Sequence, residues 1–176
     1  IMYDCIGDVH GCYDECMQLF DRMGYQLKDG IPHHPNGYIP VFLGDITDRG
    51  PKSVEMIDFV WELVIHNTRG LYVPGNHCNK LYRYFLGNRV QVTHGLETTV
   101  AELEALHPKK RKRVRQRFIQ LYEQSPLHLV LDEGNLAIAH AGIKKEFIGL
   151  NNKKVQTFVL YGDITGKNLP DGRPER

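Results

Sequence analysis

Four short polar clusters carry the chemistry this chain could do. Asp8 and His10 stand two residues apart, Asp45 and Asp48 are three apart with Arg49 beside them, Asn76 and His77 are neighbours, and His140 follows further on. The set offers carboxylates, imidazoles and one amide oxygen, with no thiolate required. Such donors suit hard or borderline divalent ions: Mn²⁺, Fe, Zn²⁺, Co²⁺ or Ni²⁺. Two ions roughly 3.5–4 Å apart would polarise a phosphoryl oxygen and acidify a water between them, with one carboxylate bridging the pair. A planar guanidinium would clamp the other phosphate oxygens. A histidine outside the metal shell would protonate the departing oxygen. Turn chemistry explains Asp and Asn at strand exits, but it does not require histidines there.

Each cluster follows a short hydrophobic run. Met2–Ile6 enters Gly7-Asp8-Val9-His10-Gly11, Pro40–Leu43 enters Gly44-Asp45, Leu71–Val73 enters Pro74-Gly75-Asn76-His77, and Asn135–Ala139 delivers His140-Ala141-Gly142. Helix-period stretches separate these runs. Tyr13, Met17, Phe20 and Met23 recur at helical spacing before Gly24. Val54, Ile57, Val60, Trp61 and Val64 share a face in a helix expected to begin at Pro51. A further helix is expected from Asn79 to Leu86, and two more over 97–124, parted near Pro108. Residues 25–40, rich in Pro, Gly and Asn, predict a hairpin or irregular excursion. Strands alternating with helices define an α/β domain. In such domains sites form outside the carboxyl ends of the strands.

The 176 residues suit one domain, and no linker or repeat divides them. Lys plus Arg number 22 against 21 Asp plus Glu, a net charge of +1 that excludes a generally basic nucleic-acid binder or an acidic tail. Leu, Ile, Val and Phe exceed the roughly one-fifth share below which chains tend to remain disordered, so a packed core is expected. No apolar run reaches the ~18–20 residues of a membrane span, and the opening residues lack a signal-peptide pattern. The four cysteines show no CxxC spacing. A reducing, cytoplasmic setting is the natural expectation. The basic run from Lys109 to Arg117 is interleaved with Val114, followed by Phe118, Leu121 and Tyr122, and so predicts the solvated face of an amphipathic helix.

The ordered motifs Gly7–Gly11, Gly44-Asp45-Ile46-Thr47-Asp48-Arg49-Gly50, Gly75-Asn76-His77 and His140-Ala141-Gly142 resemble those of calcineurin-like metallophosphoesterases, in the phosphoprotein-phosphatase branch. Four ordered motifs with separate roles are far more specific than any one alone. Gly75–Leu81, Thr93–Thr99, Leu160–Asp163 and Pro170–Pro174 narrow the likeness, over nearly the whole chain, to bacterial asymmetrical bis(5'-nucleosyl)-tetraphosphatases. The phosphatase module of bacterial polynucleotide kinase–phosphatases is similar in the same segments. Cys78 stands where many relatives have Glu or Asp, as it does in the tetraphosphatase group.

The resemblance implies a sandwich of two β-sheets flanked by helices (αββα). It implies a dinuclear-metal hydrolase that cleaves diadenosine tetraphosphate to ATP and AMP, with Mn²⁺ as the expected metal. The alternative is a phosphomonoesterase acting on phosphoprotein or on nucleic-acid ends. Carried over, Asp8 and His10 hold the first ion, Asp45 bridges, and Asn76 and His140 hold the second. His77 is the general acid, oriented by Asp48, and Arg49, Asn76 and His77 contact phosphate. The implied partner is a small dinucleoside polyphosphate, with no membrane and no stable nucleic-acid partner. The family also supplies a further metal-binding histidine from a Gly-His motif, and none follows His140. The C-terminal part of the family fold is therefore expected to be missing from these residues.

Overall fold

The computed structural model describes residues 1–176. Its centre is a parallel sheet of β1 (Tyr3–Ile6), β4 (Ile39–Phe42) and β5 (Leu71–Tyr72), in the order β1-β4-β5. The register aligns Ile6 with Phe42 and Phe42 with Tyr72. Side chains alternate between faces along a strand. These three point one way, into the main core beneath α1 (Tyr13–Arg22), α2 (Ser53–Trp61), α3 (Asn76–Phe85), α4 (Leu96–Glu104) and α5 (Pro108–Gln124).

Val41 and Val73 point the other way and meet Ile138. Ile138 belongs to the antiparallel pair β6 (His128–Leu131) and β7 (Leu136–Ala139), which forms the second sheet of a sandwich. A last helix, α6 (Lys153–Tyr161), buries Val155, Val159 and Leu160 beside Ala139 and Ile143. The expected helix–sheet–sheet architecture is thus present. Residues 25–40 contain the hairpin β2 (Gln26–Lys28) and β3 (Ile31–His33).

Three local expectations need correction. The helix expected from Asn79 begins at Asn76. Gly75 gives it no side-chain cap; instead Asp45 Oδ1 accepts the His77 backbone N–H at 3.0 Å. A carboxylate borrowed from another loop does the work of a capping residue. Similarly, α2 begins at Ser53 rather than Pro51, where both Glu102 oxygens accept the Ser53 and Val54 N–H groups at 2.9 and 3.1 Å. Strand β6 lies in a stretch for which the sequence predicts no element, and it is defined by its pairing with β7.

The basic run lies on α5, whose Val114, Phe118 and Leu121 are buried. Its arginines are not all solvated. Arg111 donates to the Leu103, Glu104 and Leu106 carbonyls at the end of α4, and Arg115 donates to the Phe85 carbonyl at the end of α3. Both satisfy carbonyls that a helix end leaves without partners. Arg117 stacks 4.2 Å from the Trp61 ring centroid and pairs with Asp58 at 3.0 Å.

Candidate active site

The loops leaving β1, β4, β5 and β7 meet at one sheet edge. His10 N–H donates to the Asp45 carbonyl at 2.9 Å and Gly11 N–H to that of Ile46 at 2.8 Å, which fastens the first loop to the second. The chain turns sharply there. Asp8, His10, Asp45, Asp48 and Arg49 all adopt positive φ, between 39° and 75°. Asp and His tolerate this region better than most residues, and such strain gathers where side chains must be aimed. Gly75 has no Cβ for a related reason: one built there would overlap the Asp45 carboxylate.

Asp8, His10, Asp45, Arg49, Asn76, His77 and His140 line one cavity of about 560 Å³, together with Leu169 and residues 173–176. Asp48 lies behind this wall, fully buried, and touches the cavity only through His77. The potential metal donors form two groups that share Asp45. His10, Asp45 and His77 make one, and Asp8, Asp45 and His140 the other; within each group the ligand atoms lie within 4.8 Å of one another. Asn76 Oδ1 joins the second, 3.1 Å from His140 Nε2.

The tautomers favour metal binding. His10 Nδ1–H donates to the Thr47 carbonyl at 2.8 Å, and His140 Nδ1–H to that of Leu43 at 2.7 Å. Each leaves Nε2 facing Asp45 Oδ2, at 4.0 Å for His10 and 3.3 Å for His140. An imidazole held at Nδ1 by a backbone carbonyl is the usual posture of a metal-ligating histidine. Around His140, one imidazole nitrogen, one amide oxygen and one carboxylate oxygen converge, a set of acceptors that attracts a cation. The Asp45 carboxylate also attracts a proton. Burial lowers the pKa of His140, but the Asp45 carboxylate more than offsets this and raises it. Burial likewise opposes ionisation of Asp45, yet His140, then His77 and His10, hold its carboxyl below the ordinary value. Carboxylates and imidazoles of this kind can hold divalent Mn, Fe, Zn, Co or Ni.

A second set of contacts surrounds His77. His77 Nδ1–H donates to Asp48 Oδ2 at 2.8 Å, which leaves Nε2 toward the cavity, 3.4 Å from Arg49 Nη2. The His10 ring stands edge-on to His77, with centroids 4.9 Å apart. The other Asp48 oxygen, Oδ1, accepts the Thr99 hydroxyl at 2.6 Å. The Asp48 N–H is shared between Ser53 Oγ at 3.0 Å and Thr99 Oγ1 at 3.1 Å. Thr99 and Ser53 are fully buried, and Glu102 then caps the helix that carries Ser53. No role for Ser53, Thr99 or Glu102 follows from the sequence reading, although Thr99 closes the Thr93–Thr99 motif. Gly95 of that motif accepts the Arg49 N–H at 3.1 Å, and a Cβ there would strike the Arg49 side chain. Cys78 is buried, which pushes its thiol up to about 12. It stays neutral and is neither ligand nor nucleophile.

Comparison with known proteins agrees with this arrangement. The calcineurin-like phosphoesterase family model matches residues 3–172. The bis(5'-nucleosyl)-tetraphosphatase PrpE [asymmetrical] of Bacillus thuringiensis (strain Al Hakam) is 59% identical over 174 residues, which is 99% of this chain and 71% of that protein. The Bacillus cereus (strain B4264) protein of the same name is 58% identical over the same span. Among solved structures, one provisionally assigned as a diadenosine tetraphosphatase superposes with a TM-score of 0.56 at 19% identity, over 88% of this chain and 57% of that chain. A cold-active protein tyrosine phosphatase superposes at 0.55 and 18%, over 84% of this chain and 44% of that one. These two share the fold. From the family-model match and the identity to the Bacillus proteins, the chain belongs to the calcineurin-like phosphoesterases.

Proposed function

We propose that this chain is a dinuclear-metal hydrolase that splits diadenosine tetraphosphate asymmetrically into ATP and AMP. The observation that carries the chemistry is the convergence of His140 Nε2, Asn76 Oδ1 and Asp45 Oδ2 beside the His77–Asp48 pair, with Arg49 against His77 Nε2. The substrate class follows from the 59% identity to a protein named as an asymmetrical bis(5'-nucleosyl)-tetraphosphatase. In this reading Asp8, His10, Asp45, Asn76 and His140 would hold the two ions; Asp45 belongs to both donor groups, and Asp8 lies with His140 rather than with His10, the partner that the family resemblance gives it. Mn²⁺ is the proposed metal. Two bound divalent ions would polarise the phosphoryl group and lower the pKa of water between them.

The chain's own groups supply the rest. Arg49 binds the non-bridging oxygens of the phosphate under attack, as a guanidinium fork does well. With Arg49 moved from His77 Nε2 onto the phosphate, His77 in its imidazolium form gives the Nε2 proton to the oxygen of the departing nucleotide. Asp48 accepts the Nδ1–H, fixes the ring and stabilises the imidazolium before transfer. Thr99 holds the Asp48 carboxylate in place, and Ser53 holds its backbone N–H. The four free cysteines fit a reducing, cytoplasmic setting. No helix is long and apolar enough to cross a membrane.

The test is incubation with diadenosine tetraphosphate and Mn²⁺, with and without a chelator, followed by chromatographic resolution of the products. ATP plus AMP, abolished by chelation, is expected. Inorganic phosphate from an aryl phosphate, with the dinucleotide untouched, would overturn the assignment in favour of a monoesterase.

A further inference from the structure

A second cavity, of about 840 Å³, adjoins the first and shares Asn76 with it. It opens along the face of α6 turned away from the buried Val155, Val159 and Leu160. Its walls combine two chemistries. Phe147, Phe158 and Tyr161 are half-buried, and the two phenylalanine rings meet edge to face with centroids 5.4 Å apart. Above them lie ammonium groups: Lys144 is 5.1 Å from the Phe158 ring and 6.0 Å from Phe147, and Lys154 is 5.7 Å from Phe147. Counting Lys153 and Arg176, four cations line the cavity against one carboxylate, Asp163, which Lys144 engages at 3.5 Å. Lys153 and Lys154 occupy the first turn of α6, which has no acidic residue. Positive charge is disfavoured at that end of a helix unless an anion compensates it. Aromatic faces that accept a base, ringed by mobile cations that accept phosphates, are the two halves of a nucleotide site.

Resting on the hydrolase reading above, we propose that this cleft holds the nucleoside triphosphate half of the substrate, with its phosphates on Lys144 and Lys154 and its base against Phe147 and Phe158. The monophosphate half needs only the phosphate under attack, which the first cavity and Arg49 already serve. A triphosphate carries the several negative charges that the surplus of cations matches. A cleft that holds three phosphates beyond the Asn76 edge also places the bond next to the fourth phosphate at the metal-ligand cluster, which makes the cleavage asymmetrical.

The test compares the wild type, the Lys144→Ala/Lys154→Ala double variant and Phe158→Leu, all with Mn²⁺. Calorimetry would give the affinity for ATP and for AMP, and product analysis the turnover of diadenosine tetraphosphate. The double variant alters exposed or half-buried lysines outside every hydrophobic cluster, so it stays folded even if Phe158→Leu does not. Tenfold or greater weakening of ATP is expected, with AMP changed less than twofold, KM for the dinucleotide raised and kcat nearly constant. Aryl phosphate hydrolysis should stay within twofold. Unchanged ATP affinity in both variants, or equal loss for AMP, would overturn the assignment. Dinucleotide cleavage with cleft-independent ATP binding would sink the subsite alone. Cleft-dependent ATP binding without dinucleotide cleavage would sink the hydrolase reading and leave the nucleotide site standing.

Discussion

The two walls of the candidate site are built differently. On one, His77, Asp48, Thr99 and Ser53 are buried and joined by a continuous hydrogen-bond chain that reaches from the loop after β4 into α4. On the other, Asp8 leaves 61% of its side chain exposed, and its nearest imidazole nitrogen, His140 Nδ1, is 3.6 Å away and already donating to the Leu43 carbonyl. The buried wall is held by hydrogen bonds within the protein, whereas the Asp8 carboxylate has none. Proton transfer needs a fixed donor direction, whereas a flexible carboxylate can close on a cation, so the difference matches the proposed division of labour.

Substituting His77 should produce the largest effect and test that division directly. His77→Ala keeps a helix-compatible residue in α3 and should lower turnover by about 10²–10⁴-fold, the usual worth of a positioned acid. Metal content, read by elemental analysis, should be unchanged. Equal loss of metal and rate would place His77 among the ligands, where its proximity to His10 and Asp45 makes the question a real one. Asp45→Asn probes the seam between the walls. Asparagine tolerates the positive φ of this position and can still accept the His77 N–H, but it lacks the charge that attracts a cation. Metal affinity should fall by at least about 100-fold, above the range for outer-shell partners, while the helical content by circular dichroism persists.

The same boundary separates what the sequence encodes from what it does not. Asp8, His10, Asp45, Asn76 and His140 each sit in a short strand–loop motif, so pattern reading reaches the residues, although not their contacts: His140 meets Asn76 and Leu43 from 64 and 97 residues away. Asp48 and Arg49 are read equally well, because they adjoin Asp45. Thr99 is 51 residues from Asp48 and Glu102 is 49 from Ser53. Neither periodicity nor spacing encodes contacts of that length. The start of α3 was misplaced for the same reason, since its cap is a carboxylate from the preceding strand exit rather than a residue beside it. The basic run on α5 is uniform as a sequence, yet the helix ends it caps are set by how α3 and α4 pack, and those hydrogen bonds separate Arg111 and Arg115 from Lys109, Lys110 and Lys112, although all five are exposed.

The interior of the buried wall gives the intermediate effect. Thr99→Val removes the hydroxyl and preserves the shape, leaving Asp48 Oδ1 buried without its 2.6 Å partner. An unmet buried acceptor should cost about 1–3 kcal/mol, seen as a lower urea midpoint at constant slope. Turnover should fall by about tenfold as His77 loses its fixed direction, and Thr99→Ser should restore most of both. A Thr99→Val protein with full stability and rate would mean that the Asp48 carboxylate is held by His77 alone.

The smallest effect belongs to the exposed wall and makes the comparison quantitative. Asp8→Asn in metal-free protein should alter unfolding free energy by no more than about 0.5 kcal/mol, as for an exposed polar substitution, because the carboxylate has no hydrogen-bonded partner of its own and Asn accepts the same backbone angle. With Mn²⁺ present the ranking should invert. Metal-induced stabilisation, which follows the logarithm of ion concentration over the dissociation constant, should shrink for Asp8→Asn and persist for Thr99→Val. If both variants lost stability equally without metal, Asp8 would belong to the same preformed network as Asp48, and the two walls would be one.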